Sequence, residues 1–176
     1  MSNIFITSDH HFNHENILKF TDSRTGKKIR DFSDVTEMNE IMIQRWNSVV
    51  KSQDKVYHLG DVFFGSEESA NAILKALNGH KRLILGNHDN GKNKVLHMNF
   101  EKISMWRNFG KEGLLLTHVP VHPNTLGENR FTGKQMVNVH GHIHQNKSPE
   151  GPYKCVCVDH PGINYYPVAL EELKND

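Results

Sequence analysis

Five short apolar runs in this chain each stop abruptly at residues that can bind a metal ion, and no other feature restricts the fold as severely. Ile4-Phe5-Ile6 leads to Asp9-His10-His11, and Val56-Tyr57-His58-Leu59 leads to Gly60-Asp61. Leu83-Ile84-Leu85 leads to Gly86-Asn87-His88-Asp89, Leu114-Leu115-Leu116-Thr117 to His118, and the run 136–139 to His140-Gly141-His142-Ile143-His144. An apolar run of strand length closed by turn residues reads as a buried strand. In layered α/β folds, the loops at the carboxyl edge of such strands collect the functional residues. Asp, Asn and His offer oxygen or imidazole nitrogen to a divalent cation, so the five polar ends read as one site built from several loops.

Helical periodicity fills the gaps between these strands. Val35, Met38, Ile41, Met42, Trp46, Val49 and Val50 form an apolar stripe at spacings of three, four and seven. Asp34 with Glu37 resembles a capping box at its start. A second helix is expected from an N-cap at Ser66 through Ala70, Ile73, Leu74 and Leu77 to Gly79, with Glu67 and Glu68 favourable to its dipole. A shorter helix is expected over 15–20, and after Lys102 the texture changes to short strands and Gly/Pro turns as far as Leu170. The pattern predicts a sandwich of two sheets with helices outside. With 176 residues and no repeat or linker, the whole span 1–176 reads as one domain.

Composition excludes several classes. A net charge of +1 gives no global field for nucleic acid or a membrane surface. No apolar run approaches the roughly 20 residues of a spanning helix, and the start lacks a basic segment followed by an apolar one, so the expected location is the cytoplasm. Cys155 and Cys157, the two cysteines, stand two apart in an extended segment and read as small buried or half-buried residues kept reduced, with a disulfide or a metal clip as the alternative.

The clusters differ in specificity. Asp9-x-His11 places two ligands on one face if the strand end is extended, but the pattern is common by itself. Gly60-Asp61 supplies a carboxylate whose two oxygens can each take a cation, beside a glycine that permits close backbone approach. Gly86-Asn87-His88-Asp89 is more telling: a neutral oxygen ligand, then a histidine followed by an acid, suits a general acid held by a carboxylate. His142-x-His144 aims two imidazoles the same way.

Taken together and in this order, these motifs resemble the signature of the calcineurin-like metallophosphoesterases: D-x-H, G-D, G-N-H-[DE], a lone His, and G-H-x-H. The resemblance spans residues 9–144 and implies an α/β fold, a four-layer α/β/β/α sandwich of two mixed sheets flanked by helices. It implies one metal held by Asp9, His11, Asp61 and His144, and a second held by Asp61, Asn87, His118 and His142. Asp61 would bridge them, His88 would be the general acid, and Asp89 would orient it. Two ions roughly 3.5–4 Å apart can clamp phosphoryl oxygens and generate hydroxide from a bridging water near neutral pH. Ligands without thiolate suit Mn²⁺, Fe, Zn²⁺ or Ni²⁺ better than Ca²⁺, and the resemblance favours Mn²⁺.

Two departures from the family pattern matter. Many members carry an arginine shortly after G-D, whereas Val62-Phe63-Phe64-Gly65-Ser66 has no base. The interval between His88 and His118 leaves no room for a cap domain, and the opening Asp9-His10-His11-Phe12-Asn13-His14 is similar to that of short bacterial and phage members.

Further candidates surround these motifs. Arg24 and Arg30, in a turn-rich loop, could form a flap gripping substrate phosphate, and Arg130 could do the same from the loop before the last motif. His14 and His122 could line the cleft; His140 could support the ligands, and His10 should face away from them. His58, His80 and His97 read as ordinary surface or core residues. The expected function is metal-dependent hydrolysis of a small phosphate ester, a phosphodiester or nucleotide-like substrate. A nuclease with the same centre is the alternative, disfavoured by the near-neutral charge. A non-catalytic scaffold is disfavoured because every expected ligand and His88 are present.

Overall fold

All five apolar runs form strands in the computed structural model, which describes residues 2–174. They are β1 (Ile4–Thr7), β2 (Lys55–His58), β3 (His80–Ile84), and, after β4 (Lys102–Ser104) and β5 (Trp106–Phe109), β6 (Leu114–Thr117) and β7 (Val137–His140). β8 (Tyr153–Cys155) and β9 (Val168–Ala169) complete two sheets ordered β4-β3-β2-β1-β9 and β5-β6-β7-β8. β1 to β4 run parallel and β9 antiparallel to β1, while β6 to β8 run parallel and β5 antiparallel to β6. Both sheets are therefore mixed. Their parallel strands bring the loops that carry the polar clusters to the carboxyl edges.

Side-chain alternation divides the core into two layers. Phe5, Val56 and Leu83 face the helices, packing with Met38, Met42 and Trp46 of α1 (Val35–Val49), Ile73 and Leu74 of α2 (Glu67–Ala76), and Val95 and Leu96 of α3 (Lys94–Asn99). Ile6, Tyr57 and Ile84, one residue on, face the second sheet and meet Leu114, Leu116, Val137 and Val139. α4 (Leu170–Leu173) adds Leu170 and Leu173 to that inter-sheet layer. The outer face of the second sheet carries a thinner cover. Its loop 118–136 contains a 3₁₀ turn (Pro123–Thr125) and is pinned where the amide N–H of Val121 donates to Asn138 Oδ1 at 2.9 Å. Among the described residues, no helix is long and apolar enough to cross a membrane.

Local chemistry accounts for the helix ends. Asp34 caps α1 by accepting from the Glu37 amide, but Glu37 reaches back to the N–H and hydroxyl of Ser33 rather than to Asp34. Ser66 caps α2 as its sequence predicts. α2 ends at Ala76, ahead of the expected Gly79, because Asn78 binds α1 instead: its N–H donates to Asn47 and its side chain to the Val50 carbonyl. The segment expected as a short helix over 15–20 is a 3₁₀ helix, Glu15–Lys19.

Candidate metal centre

The backbone turns left-handed at the residues that matter most. Asp9 (φ 61°), His11 (51°), Asp61 (57°), His142 (71°) and His144 (51°) all have positive φ. Each costs a side-chain-bearing residue about 1–2 kcal/mol, so the surroundings must hold it. They do: Asp9 N–H donates to the Gly60 carbonyl at 3.0 Å, His11 N–H to the Asp61 carbonyl at 3.1 Å, and Gly141 N–H to the His118 carbonyl at 2.8 Å. The extended geometry expected of Asp9-x-His11 is therefore not what aims these side chains. Alternate left-handed residues do, after β1 has ended at Thr7.

Glycine makes the approach of the loops possible. A Cβ on Gly60 would collide with the Gly86 backbone, and one on Gly141 with Ser8 and the Asp9 carboxylate. The ends of β2 and β3 thus meet backbone to backbone, and the loop after β7 meets side chains at the end of β1. Two groups of candidate ligands result: Asp9, His11 and His144, and Asp61, His118 and His142. Asn87 joins the second, with its Oδ1 2.8 Å from His118 Nε2 and 2.9 Å from His142 Nδ1. Asp61 Oδ2 lies between the groups, 3.7 Å from His11 Nε2 and 3.5 Å from His118 Nε2. The other oxygen, Oδ1, accepts from the His88 amide at 2.9 Å. A single oxygen of Asp61, not both, faces the two groups.

These residues fit cations better than they fit one another. Asp9 Oδ1 and both His11 nitrogens are buried with no hydrogen-bond partner among the described residues, an arrangement costly in an interior unless something else binds them. Burial pushes the Asp9 carboxyl up, but His11, with the charges of His144 and His118, outweighs it and holds the group well below the usual carboxylate range. Asp61 is likewise lowered against burial by His118 and the His88 amide. The carboxylates are ionised and surrounded by nitrogen donors, and the oxygen and imidazole set without thiolate matches a divalent transition metal.

A buried network stands behind the candidate ligands, and the sequence reading missed its centre, Asp159. This carboxylate is 2.9 Å from His144 Nδ1 and accepts from Arg30 Nε at 2.9 Å. It follows an apolar run, Val156-Cys157-Val158, and so repeats the strand-then-acid theme that could have exposed it. Arg30 is corrected accordingly. It is no flap residue but wholly buried, donating also to the backbone carbonyls of Asp9 and His10 at 2.6 Å. Asp89 is corrected as well. Its carboxylate accepts from the amides of Asp61, Val62 and Gly86 at 2.8, 3.0 and 2.9 Å, so it ties two ligand loops together instead of orienting the His88 ring.

Neighbouring polar residues complete the support. Cys157, free like Cys155, donates its thiol to Asp9 Oδ2, and burial keeps that thiol neutral. His10 faces away from the ligands as expected, with Nδ1 2.9 Å from His58 Nε2. His140 contacts Ser148 Oγ at 3.2 Å.

Two cavities flank the centre. One of about 440 Å³ is lined by His11, His88, His142 and His144. His14 joins them, with its ring 4.2 Å from that of Phe64. The basic loop does approach this cavity, but through Phe20 and Ile29. Arg24 lies in an exposed turn and pairs with Asp22 at 2.8 Å. Arg130 stacks over Phe131 at 4.7 Å beside a separate cavity, and His122 accepts from the Asn124 amide in its own turn. The structure thus brings His14 and His88 to the centre and leaves Arg24, Arg130 and His122 outside the residues lining it. The other flanking cavity, about 610 Å³ and mostly apolar, begins at Gly86, Asn87 and His118.

The chain is similar to several known proteins. An uncharacterized protein of Methanocaldococcus jannaschii is 35% identical over 180 positions, covering 97% of this chain and 89% of its own length. The gene 66 protein of Mycobacterium phage L5 is 31% identical, with 82% of this chain and 78% of that protein covered. A crystal structure of a protein of unknown function from Aquifex aeolicus superposes with a TM-score of 0.72 at 26% identity, covering 98% of both chains. The family described as the calcineurin-like phosphoesterase superfamily domain matches residues 3–158, nearly the full span in which the two sheets and every candidate ligand lie, and the chain belongs to it.

Proposed function

We propose that the chain is a dinuclear, metal-dependent phosphoesterase that hydrolyses a small phosphate ester, with phosphodiesters and nucleotide-like diesters the favoured class and Mn²⁺ the favoured metal. The observation that carries this reading is the placement of Asp61 Oδ2 between two groups of nitrogen and oxygen donors, buried but for His142 and His144, with Asp9 Oδ1 and both His11 nitrogens lacking any hydrogen-bond partner among the described residues. Asp9, His11, Asp61 and His144 would hold one ion, and Asp61, Asn87, His118 and His142 the other. When bound, the ions supply Lewis-acid polarisation of phosphoryl oxygens and water activated near neutral pH.

The chain's own residues do the rest. His88 is exposed in the cavity beside His11, with no side-chain hydrogen bond among the described residues, and is placed to hold a proton for the departing oxygen. Asp89 and Asp159 hold the loops and the His144 ring so that the donors converge. The preference for diesters follows from the missing base. A monoester brings an extra negative charge, yet the segment after Asp61 is apolar and Arg30 is committed to Asp159. Free, buried Cys155 and Cys157 fit a reducing compartment such as the cytoplasm.

The test is metal analysis together with a panel of phosphomonoesters and diesters on purified, Mn²⁺-loaded protein. The reading requires two ions per chain, their loss in Asp61→Ala, and diester turnover at least equal to monoester turnover. One ion or none at saturation would defeat it.

A further inference from the structure

We infer that the apolar cavity beginning at Asn87 and His118 holds the retained substituent of a phosphodiester, and that this substituent is an aromatic ring or a similarly flat apolar group. The inference rests on the phosphoesterase reading above and names the part of the substrate that reading leaves open.

Its position, size and lining carry it. The cavity is continuous with the candidate metal centre, since Gly86, Asn87 and His118 form one end of it and Asn87 Oδ1 lies 2.8 Å from His118 Nε2. From there it runs over the outer face of the second sheet, where Leu115 and Asn108 project opposite to the inter-sheet residues Leu114, Leu116 and Phe109. One wall is apolar and open: Met105 is 67% exposed, Trp106 59% and Val119 43%, three large side chains that a folded protein would ordinarily not gather beside a reactive centre without a use for them. Its size, about 610 Å³, is that of a small-molecule site. Among the described residues no Lys, Arg, Asp or Glu lines it, so a second phosphate would find no counter-charge from them, whereas a ring can stack on the Trp106 indole.

The position of His88 sets the orientation. His88 lines the opposite cavity, so the departing group belongs on that side. Water adds to phosphorus, the bond to the departing oxygen breaks, and that oxygen leaves with a proton; the second ester bond stays intact. The group on that second bond must lie elsewhere, and the apolar cavity is the space left for it.

The test compares bis(p-nitrophenyl) phosphate with methyl p-nitrophenyl phosphate, which share a leaving group and differ only in the retained one. The expected result is a kcat/KM preference for the aryl diester of about tenfold or more, the size of a base-on-aromatic stacking contribution. Trp106→Ala should lower kcat/KM for the aryl diester far more than for the methyl ester, and Trp106→Phe should restore the preference. A binding measurement gives a second readout: Trp46 is fully buried, so emission of the exposed Trp106 should be quenched by phenylphosphonate and not by methylphosphonate. Equal turnover of the two diesters, or an equal loss of both in Trp106→Ala, would overturn the inference while leaving the phosphoesterase reading intact. Hydrolysis of neither diester by metal-loaded protein would overturn that reading and the inference with it.

Discussion

At the scale of single residues, the site depends on side chains whose alternatives are worse. Among the described residues His88 has no side-chain hydrogen-bond partner that would explain its place, and its ring lies 5.7 Å from that of His11 at the cavity wall. We expect His88→Ala to keep its metal and to lose ~10²–10⁴-fold in rate on an alkyl leaving group, with a much smaller loss for p-nitrophenolate, which needs little protonation. Equal losses for the two leaving groups would assign His88 to substrate positioning. Asp159 acts one step further out, between His144 and the buried Arg30. Asp159→Asn keeps the shape but removes the charge, and metal titration should show ~10–100-fold weaker binding. Unchanged affinity would mean that the His144 ring is held by packing alone.

At the scale of elements, the loops converge because glycines permit it. Gly141 stands where the loop after β7 touches the end of β1, and a methyl group there would meet Ser8 and the Asp9 carboxylate, both backed by buried structure. Gly141→Ala should therefore lower stability by about 1–3 kcal/mol and also weaken metal binding, because Asp9 is the group displaced. Thermal unfolding and metal titration of one preparation would check both. A stable variant with normal metal affinity would show that the loop can yield. The strands themselves were plain in the sequence, because a short apolar run is buried in whatever fold contains it. The left-handed ligand residues were not plain, because Asp and His have no intrinsic preference for that conformation strong enough to announce it. Hydrogen bonds from residues about 50 positions away impose it, as between Asp9 and Gly60.

At the scale of the whole molecule, the buried His10–His58 pair links stability to pH. The Gly60 amide donates to His58 Nδ1, so the His58 proton sits on Nε2 and is offered to His10 Nδ1, leaving both rings neutral. Burial, against the opposing charges of Asp89, Asp9 and Asp61, brings His58 down from the ordinary 6.5 to about 4, and His10 is lowered in the same direction by burial and by His58. The unfolded chain takes up protons below 6.5 while the folded one does not until about 4, so this contribution is present above pH 6.5 and is lost as pH falls toward 4. For metal-free protein we expect the unfolding temperature to drop between pH 6.5 and 4, and to drop less steeply in His58→Gln, which cannot titrate. Identical slopes would remove the pair from the account.

What the sequence determined by itself was the set of parts: five buried strands, two amphipathic helices with their caps, the family, and the identity of the residues that converge. These follow from local rules, since apolar runs bury, stripes at helical spacing pack on one face, and Asp, Asn and His are the natural donors for a cation. Only the tertiary structure decided how the parts face one another. Arg30, Arg24 and Arg130 look alike as charged loop residues, yet one is sealed beneath the ligands with Asp159 and two remain at the surface. Asp89 stands next to His88 in the chain but binds the loop after β2, whose Asp61 and Val62 amides donate to its two carboxylate oxygens. The apolar cavity draws Leu85, Trp106, Leu115 and Leu126 from separate segments, and no local pattern could show that they share one wall. Burial and partner choice depend on contacts between residues distant in sequence, and only the packing of the two sheets specifies those contacts.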